Sequence, residues 1–128
     1  MTIQNSMIRK IHILKTTEPV EEAIELFKDL NVHAAPVVDE NDKLVGIVTK
    51  SNLYEFLTRP GHYKSCPISW LMSNDIITAD INESIRDVAK RLRTNHIFSL
   101  PILDGEKVVG LITVENILDY LLENCNVD

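Results

Sequence analysis

Two short polar clusters carry the side chains in this sequence that are best suited to binding a small molecule. Each follows an apolar run that is rich in β-branched residues. The clusters are Thr49, Ser51 and Asn52, and Thr113, Glu115 and Asn116. Where a strand ends and a helix begins, hydroxyl groups, unpaired backbone N–H groups and the positive end of the helix dipole form an anion site. Helix capping selects the same residue types, so ligand binding and capping are both open interpretations.

Other reactive residue types show no spacing that predicts catalysis or a metal site. Cys66 and Cys125 are far apart and have no close Cys or His neighbours, so we expect free thiols and no metal. The histidines show no metal-ligand spacing; they are His12, His33, His62 and His96. The sequence has no nucleophile elbow, no evident pair of catalytic carboxylates and no Walker-type glycine loop. We therefore predict that the protein is not an enzyme.

Composition indicates one soluble domain. The 128 residues are 45% hydrophobic and 25% charged, which is enough for a core and usual for a soluble protein. No run approaches the roughly 18–20 apolar residues of a membrane helix. Residues 1–7 show no secretory signal. We therefore expect a cytoplasmic protein that does not contact membranes. The net charge of −6 disfavours direct binding of nucleic acid, because phosphates would be repelled.

The sequence repeats itself across nearly its whole length. Pro36 matches Pro101 at an offset of 65, and after a one-residue deletion Gly46 matches Gly110 at an offset of 64. Other matched pairs are Met7 and Met72, Ile11 and Ile76, Glu18 and Glu83, Asp39 and Asp104, Thr49 and Thr113, and Asn52 and Asn116. Each copy reads as strand, helix, hairpin and helix. One copy alone would leave an apolar sheet face uncovered, so we expect the two copies to pack through their sheets.

The local patterns predict where these elements lie. Apolar residues at helical spacing predict a first helix that buries Val20, Ala23, Ile24, Phe27 and Leu30, and a counterpart that buries Ile85, Val88, Ala89 and Leu92. Thr17 and Asn82 are the expected N-caps. The hairpins are expected at 35–48 and 100–112. Motif 1 would span about 6–58, the linker 59–69 and motif 2 about 70–123, with Trp70 as a core residue.

The whole pattern resembles the CBS family, named after cystathionine β-synthase, whose motifs occur in pairs as Bateman modules. The resemblance rests on the segment 70–78, on the Pro-Val-Val-Asp and Pro-Ile-Leu-Asp strands at 36–39 and 101–104, and on the strand ends Gly-Ile-Val-Thr at 46–49 and Gly-Leu-Ile-Thr at 110–113. It implies an α+β fold of two β-α-β-β-α motifs with pseudo-twofold symmetry, sheets packed together and helices outside.

The resemblance also implies two clefts between the motifs, which in many relatives hold AMP, ADP, ATP or S-adenosylmethionine. Each cleft takes its adenine wall from one motif and its ribose and phosphate contacts from the other. The first cleft would use Thr49, Ser51, Asn52, Thr78, Ile97 and Ser99. The second would use Ile13, Val32, Ala34, Thr113, Glu115 and Asn116, with His33 near a phosphate.

Two departures from the family pattern affect these clefts. The ribose contact of the family is usually an Asp, whereas this chain has Asn52 and Asn116. An amide offers one acceptor oxygen, so a two-oxygen grip on the ribose diol is lost. Glu115 stands where the first cleft has Ser51, and a carboxylate repels phosphate. We therefore expect the second cleft to be the weaker anion site, or to favour a cationic ligand.

The expected function is a regulatory module that senses an adenosyl ligand and reports it to a regulated protein or a fused domain. The alternative is a ligand-free scaffold for dimerisation or interaction in the same fold. No cofactor is expected to be required. We also expect a homodimer built on the amphipathic helices, with contacts that include Phe56, Tyr120 and Leu121.

Overall fold

The computed structural model describes residues 12–124. They form two compact units: one spans His12–Ile76, and the other contains residues 77–124. Both units mix helices with a small sheet. The α+β class and the two β-α-β-β-α copies that the sequence predicts are therefore confirmed.

The first unit holds a three-stranded sheet and three helices. Its strands are β1 (Leu14–Lys15), β2 (Ala34–Val38) and β3 (Leu44–Thr49), in the order β1-β2-β3. Strand β1 runs parallel to β2, and β2 runs antiparallel to β3. The helices are α1 (Val20–Leu26), α2 (Lys50–Leu57) and the short α3 (Ile68–Leu71).

The second unit repeats this arrangement. Its strands are β4 (Ala79–Asp80), β5 (Ser99–Asp104) and β6 (Lys107–Thr113), in the order β4-β5-β6. Strand β4 is parallel to β5, and β5 is antiparallel to β6. The helices are α4 (Ile85–Thr94) and α5 (Val114–Asn124). Strand, helix, hairpin and helix thus follow one another as they do in the first unit.

Each unit buries its own apolar cluster, mostly at the predicted positions. Val20, Ala23 and Phe27 are buried in the first unit. Ile85, Val88 and Leu92 are buried in the second, with Ala89 packed against them. The prediction for Leu30 is wrong: it is 80% exposed, because α1 ends at Leu26 and the helical spacing does not continue to residue 30.

The predicted N-caps are also wrong. Helix α1 begins after Pro19, which has no side-chain cap. Helix α4 begins after Ser84, whose hydroxyl accepts a hydrogen bond from the backbone N–H of Asp87. Thr17 and Asn82 lie two residues before these positions and belong to the preceding turns, since the backbone N–H of Asn82 donates to Asp80 Oδ1 at 2.8 Å.

The segment after α2 packs onto the first unit. The ring of His62 stacks on Phe56 with centroids 4.0 Å apart, and Cys66 and Ile68 are buried in the core of this unit. The backbone of α3 donates to this unit too, with Ile68 N–H bonding to Glu18 O at 2.8 Å. The first unit therefore continues to Ile76.

Two predictions about aromatic residues are corrected by this packing. Trp70 is 62% exposed and is not a core residue, because α3 buries Ile68 and Leu71 and turns Trp70 away from the core. Phe56 is only 6% exposed, so it is a core residue and is unavailable for a dimer contact. Cys66 is a free thiol, and the prediction for Cys125 lies outside the described residues.

Candidate functional site

In the first unit the predicted site residues meet at one edge of the sheet. Strand β2 begins at Ala34, which pairs with Thr49 at the end of β3. The backbone N–H of Lys50 donates to His33 O at 3.0 Å, so the segment 32–34 lies beside the first turn of α2. Because β1 is parallel to β2, Ile13 precedes β1 at the same edge.

Thr49 and Asn52 form a reciprocal capping box at this edge. The backbone N–H of Asn52 donates to Thr49 Oγ1 at 3.2 Å. Asn52 Oδ1 accepts from the Thr49 backbone N–H at 3.4 Å and from the Thr49 hydroxyl at 2.7 Å. Ser51 is exposed, and its hydroxyl lies 3.3 Å from Thr49 Oγ1. Both residues of the box are thus held rigidly where the strand becomes the helix.

The second unit builds the same edge from the matched residues. Ser99 pairs with Thr113, and the backbone N–H of Val114 donates to Phe98 O at 2.8 Å. Asn116 Oδ1 accepts from Thr113 N–H at 3.0 Å. The Asn116 N–H donates to Thr113 Oγ1, also at 3.0 Å.

The capping boxes explain what the two Asn residues can still do chemically. The oxygen of Asn52 already accepts two hydrogen bonds, which uses both of its lone pairs. The oxygen of Asn116 accepts one. In both residues the amide NH₂, which can only donate, is the main group left for a ligand. An Asp in either place could fill the same capping role with one oxygen and offer the other as an acceptor.

Thr78 is held by an ion pair that the sequence reasoning missed. Arg91 Nη1 donates to Thr78 O at 2.9 Å and to Glu83 Oε2 at 2.9 Å, and its second nitrogen, Nη2, bonds to Glu83 Oε1. Glu83 Oε2 also accepts from the Asp80 N–H at 2.7 Å. The hydrogen bond from Arg91 lowers the pKa of the Glu83 carboxyl below its usual value.

The sequence does contain a signal for this ion pair. Glu83 matches Glu18 in the repeat, and Glu18 Oε1 accepts from Lys15 N–H at 2.7 Å in the first unit. A polar residue repeated at the same place after a short strand thus indicates a turn-bracing role. Arg91 has no charged counterpart in the first unit, since Leu26 stands there. Its helical position alone suggests a solvent-exposed residue.

The remaining site residues differ in exposure. Ala34 is buried, and Val32, Ile97, Thr78 and Ser99 are half-buried. The exposed ones are Ile13, His33, Ser51 and Glu115.

Each unit therefore gathers half of each predicted cleft. The first unit places residues 32–34 beside 49–52, and residue 13 precedes β1 on the other side of β2. The second places residues 97–99 beside 113–116, and residue 78 precedes β4 on the other side of β5. The predicted first cleft combines 49–52 of one unit with 78, 97 and 99 of the other. That combination, and the corresponding one for the second cleft, stay predictions.

Residues 12–124 lack the features of two other kinds of site. Within that range, no group of three or more His, Cys, Asp or Glu side chains could hold a metal ion. None of the helices in the same range is long and apolar enough to span a bilayer.

Comparison with known proteins identifies the repeat. The model of the CBS domain family matches residues 3–59 and again residues 68–123. The chain is 26% identical over 123 residues to the CBS domain-containing protein YhcV of Bacillus subtilis, covering 96% of this chain and 87% of YhcV. It is 38% identical over 113 residues to the inosine-5′-monophosphate dehydrogenase of Thermoplasma acidophilum, covering 88% of this chain but 22% of that enzyme.

A solved structure agrees with both the sequence match and the fold. The CBS domain pair of protein MJ0100, in complex with 5′-methylthioadenosine and S-adenosyl-L-methionine, superposes with a TM-score of 0.79. It is 27% identical, covering 95% of this chain and 97% of that one. Against matching relatives that are enzymes, the chain spans about a quarter of the whole length. Two family matches, one on each copy of the repeat, lead to a single conclusion: the chain belongs to the CBS domain family and carries its motif as a tandem pair.

Proposed function

We propose that this CBS pair is a regulatory module that binds an adenosyl ligand between its two motifs. The observation that carries the proposal is the repeated edge, where a strand start, a strand end and a capped helix bring polar side chains together in each unit. The MJ0100 pair, whose complex holds two adenosyl compounds, supports the class of ligand.

The first cleft has the richer set of polar groups. It would combine the hydroxyls of Thr49 and Ser51 with those of Thr78 and Ser99, and half-buried Ile97 would contact the adenine ring. Hydroxyls beside the amino end of α2 suit a ribose or a phosphate. AMP, ADP and ATP are therefore the expected ligands of this cleft, which should fill first.

The second cleft suits a cationic ligand better than an anionic one. The exposed Glu115 takes the place of Ser51 and adds a carboxylate, which repels phosphate and attracts a cation. The matched residues from the first unit are Ile13, Val32, His33 and Ala34, and Thr113 and Asn116 complete the set. Among the adenosyl ligands, the sulfonium cation of S-adenosylmethionine fits this cleft better than a nucleotide does.

A scaffold without ligand is the second candidate function. It is favoured by the capping box of Asn52, whose oxygen is already used by Thr49. A ribose diol would meet an amide donor there in place of a free carboxylate oxygen. The same fold would then serve dimerisation or partner binding with its clefts empty.

Thermal shift with AMP, ADP, ATP, S-adenosylmethionine and NAD separates these two functions. A ligand that binds only the folded protein raises its Tm by mass action. Ser51→Ala should reduce the shift caused by a nucleotide, whereas Ser65→Ala, an exposed serine of the same unit, should not. If none of the five compounds at millimolar concentration raises the Tm, the ligand-free scaffold is the function.

We also propose that the module works as a homodimer. A ligand can alter a dimer or a regulated partner only through different affinities for two arrangements, and a symmetric dimer gives such arrangements a readout. Light scattering should give twice the 14.5 kDa of the chain at high micromolar concentration. A mass of one chain at that concentration would rule the dimer out.

A further inference from the structure

The second unit carries an open groove with a basic edge. Helices α4 and α5 enclose a surface groove of about 560 Å³ that is lined by the apolar Ala89, Ile117 and Leu121 and by the cations Arg86, Lys90 and Arg93. All three cations are exposed. None of them forms an ion pair with another residue in the part of the chain that the structure describes.

The matched surface of the first unit carries the opposite charge. In the repeat, Glu21 stands where Arg86 does and Glu25 where Lys90 does. Glu21, Glu22 and Glu25 are all exposed on α1. Two lysines lie at the ends of this helix: Lys28 is 2.9 Å from Glu25, and the exposed Lys64 accepts at its backbone O from the Glu21 N–H at 3.0 Å. Helix α1 therefore has a mainly acidic edge, and α4 has a mainly basic one.

The two surfaces also differ in packing: side chains of the first unit occupy the position that is an open groove in the second. In the first unit His62 stacks on Phe56, the counterpart of Tyr120, and Cys66 is buried nearby in the same core. The exposed Leu57 and Tyr54 on α2 remain as apolar groups. The first unit thus presents a filled acidic surface with apolar side chains, and the second presents an apolar groove with a basic edge.

We propose that the groove between α4 and α5 binds a second copy of this chain through the acidic α1 surface of that copy's first unit. This orientation rests on the homodimer proposed above. In a twofold dimer the contact forms twice, because each groove meets the α1 surface of the other protomer. The opposite orientation would place α4 against α4 and α1 against α1, so like charges would face each other across the interface.

Charge reversal at two matched positions tests the orientation. Lys90→Glu and Glu25→Lys should each raise the dimer dissociation constant about tenfold, because each puts like charges into both contacts. The two substitutions in one chain should restore the wild-type constant, since every reversed residue then faces a reversed partner. Sedimentation equilibrium at low ionic strength measures all four proteins, and added salt should reduce the differences.

Two control variants change the net charge equally. Lys107→Glu alters an exposed residue at the start of β6, and Glu40→Lys alters an exposed residue in the hairpin turn of the first unit. Both should leave the dimer unchanged. A monomeric wild type would contradict the dimer itself. A wild-type dimer that neither single variant weakens, or that the double variant does not restore, would show that the dimer forms in another orientation or through another surface.

Discussion

At the scale of single residues, Asn52 and Asn116 determine which hydrogen bonds the proposed clefts could offer a ligand. Each closes a capping box with the Thr three residues before it. Capping by itself accounts for a short polar side chain at these positions. The family's usual Asp could do the same while keeping a second oxygen free. The amide therefore preserves the fold of the helix start but replaces an acceptor by a donor.

Asn52→Asp should consequently tighten the binding of adenosine about tenfold, since a charge-assisted hydrogen bond to the ribose diol is gained. This ligand is chosen because it carries the ribose diol without a phosphate, which the new carboxylate would repel. Titration calorimetry gives the dissociation constants. Asn116→Asp is the matched control and should have a smaller effect; tighter binding only in that variant would mean that the clefts are ranked wrongly.

At the scale of the elements, the ion pair of Arg91 and Glu83 fixes the chain before β4. The pKa of Glu83 is lowered from 4.5 by its hydrogen bond to Arg91, so the unfolded chain binds a proton more readily than the folded one. The stabilisation is fully present well above pH 4.5 and is lost as the pH falls through the lowered pKa.

Glu83→Gln should therefore lower the free energy of unfolding by about 1 kcal/mol at pH 7. The deficit relative to wild type should shrink below pH 4.5, where the Glu83 carboxyl of the unfolded chain becomes protonated, and should disappear once the pH has fallen below the lowered pKa of the folded protein. Urea unfolding at pH 7 and pH 3.5 measures both differences. Glu106→Gln, in an exposed hairpin turn, should show no such deficit; a deficit for Glu83→Gln that is equal at both pH values would refute the charged interaction.

Strand β3 passes so close to the segment after α3 that a side chain at position 46 would have to displace Met72. A Cβ on Gly46 would lie 2.6 Å from Met72 Sδ and 3.1 Å from Met72 Cβ. Two backbone hydrogen bonds between Ile47 and Ser73, of 3.0 and 2.8 Å, hold the segments together. The glycine in the Gly-Ile-Val-Thr strand end is thus explained by packing.

Gly46→Ala should lower the free energy of unfolding by about 1–3 kcal/mol through overpacking. Met72→Ala removes the sulfur but not the Cβ, so adding it to Gly46→Ala should recover part of the loss. A thermal or urea double-mutant cycle gives the coupling between the two positions. Additive effects of the two substitutions would contradict the contact.

Sequence reasoning located well the elements whose apolar residues recur at a regular spacing. The hairpins, α4 and the strand-to-helix junctions follow directly from alternation, helical spacing and the repeat. The errors arose where a short element ends or where packing decides. Leu30 continues the spacing of a helix that stops at Leu26, and Trp70 belongs to a helix of four residues. Arg91 resembles a surface residue until its partners Glu83 and Thr78 are known.

At the scale of the whole molecule, the repeat provides two units with one fold and different chemistry. Threonine occupies the matched positions 49 and 113 in the two copies. Two positions later, however, the first copy has Ser51 and the second has Glu115, and the acidic edge of α1 corresponds to the basic edge of α4. Duplication of the fold is therefore readable from the sequence, because its matched residues are structural. The composition of each proposed cleft cannot be read from spacing, because it would depend on packing between the two motifs.

An adenosyl ligand is proposed to bind in a cleft to which both motifs contribute. Calorimetric titration of AMP into wild type, Ser51→Ala and Ser99→Ala tests it most directly, because the two serines belong to different units. We predict one dominant site per chain, with a dissociation constant raised several-fold by either substitution and unchanged by Ser65→Ala. Binding that only one of the two serines affects, or no binding heat with AMP, would contradict a shared nucleotide site.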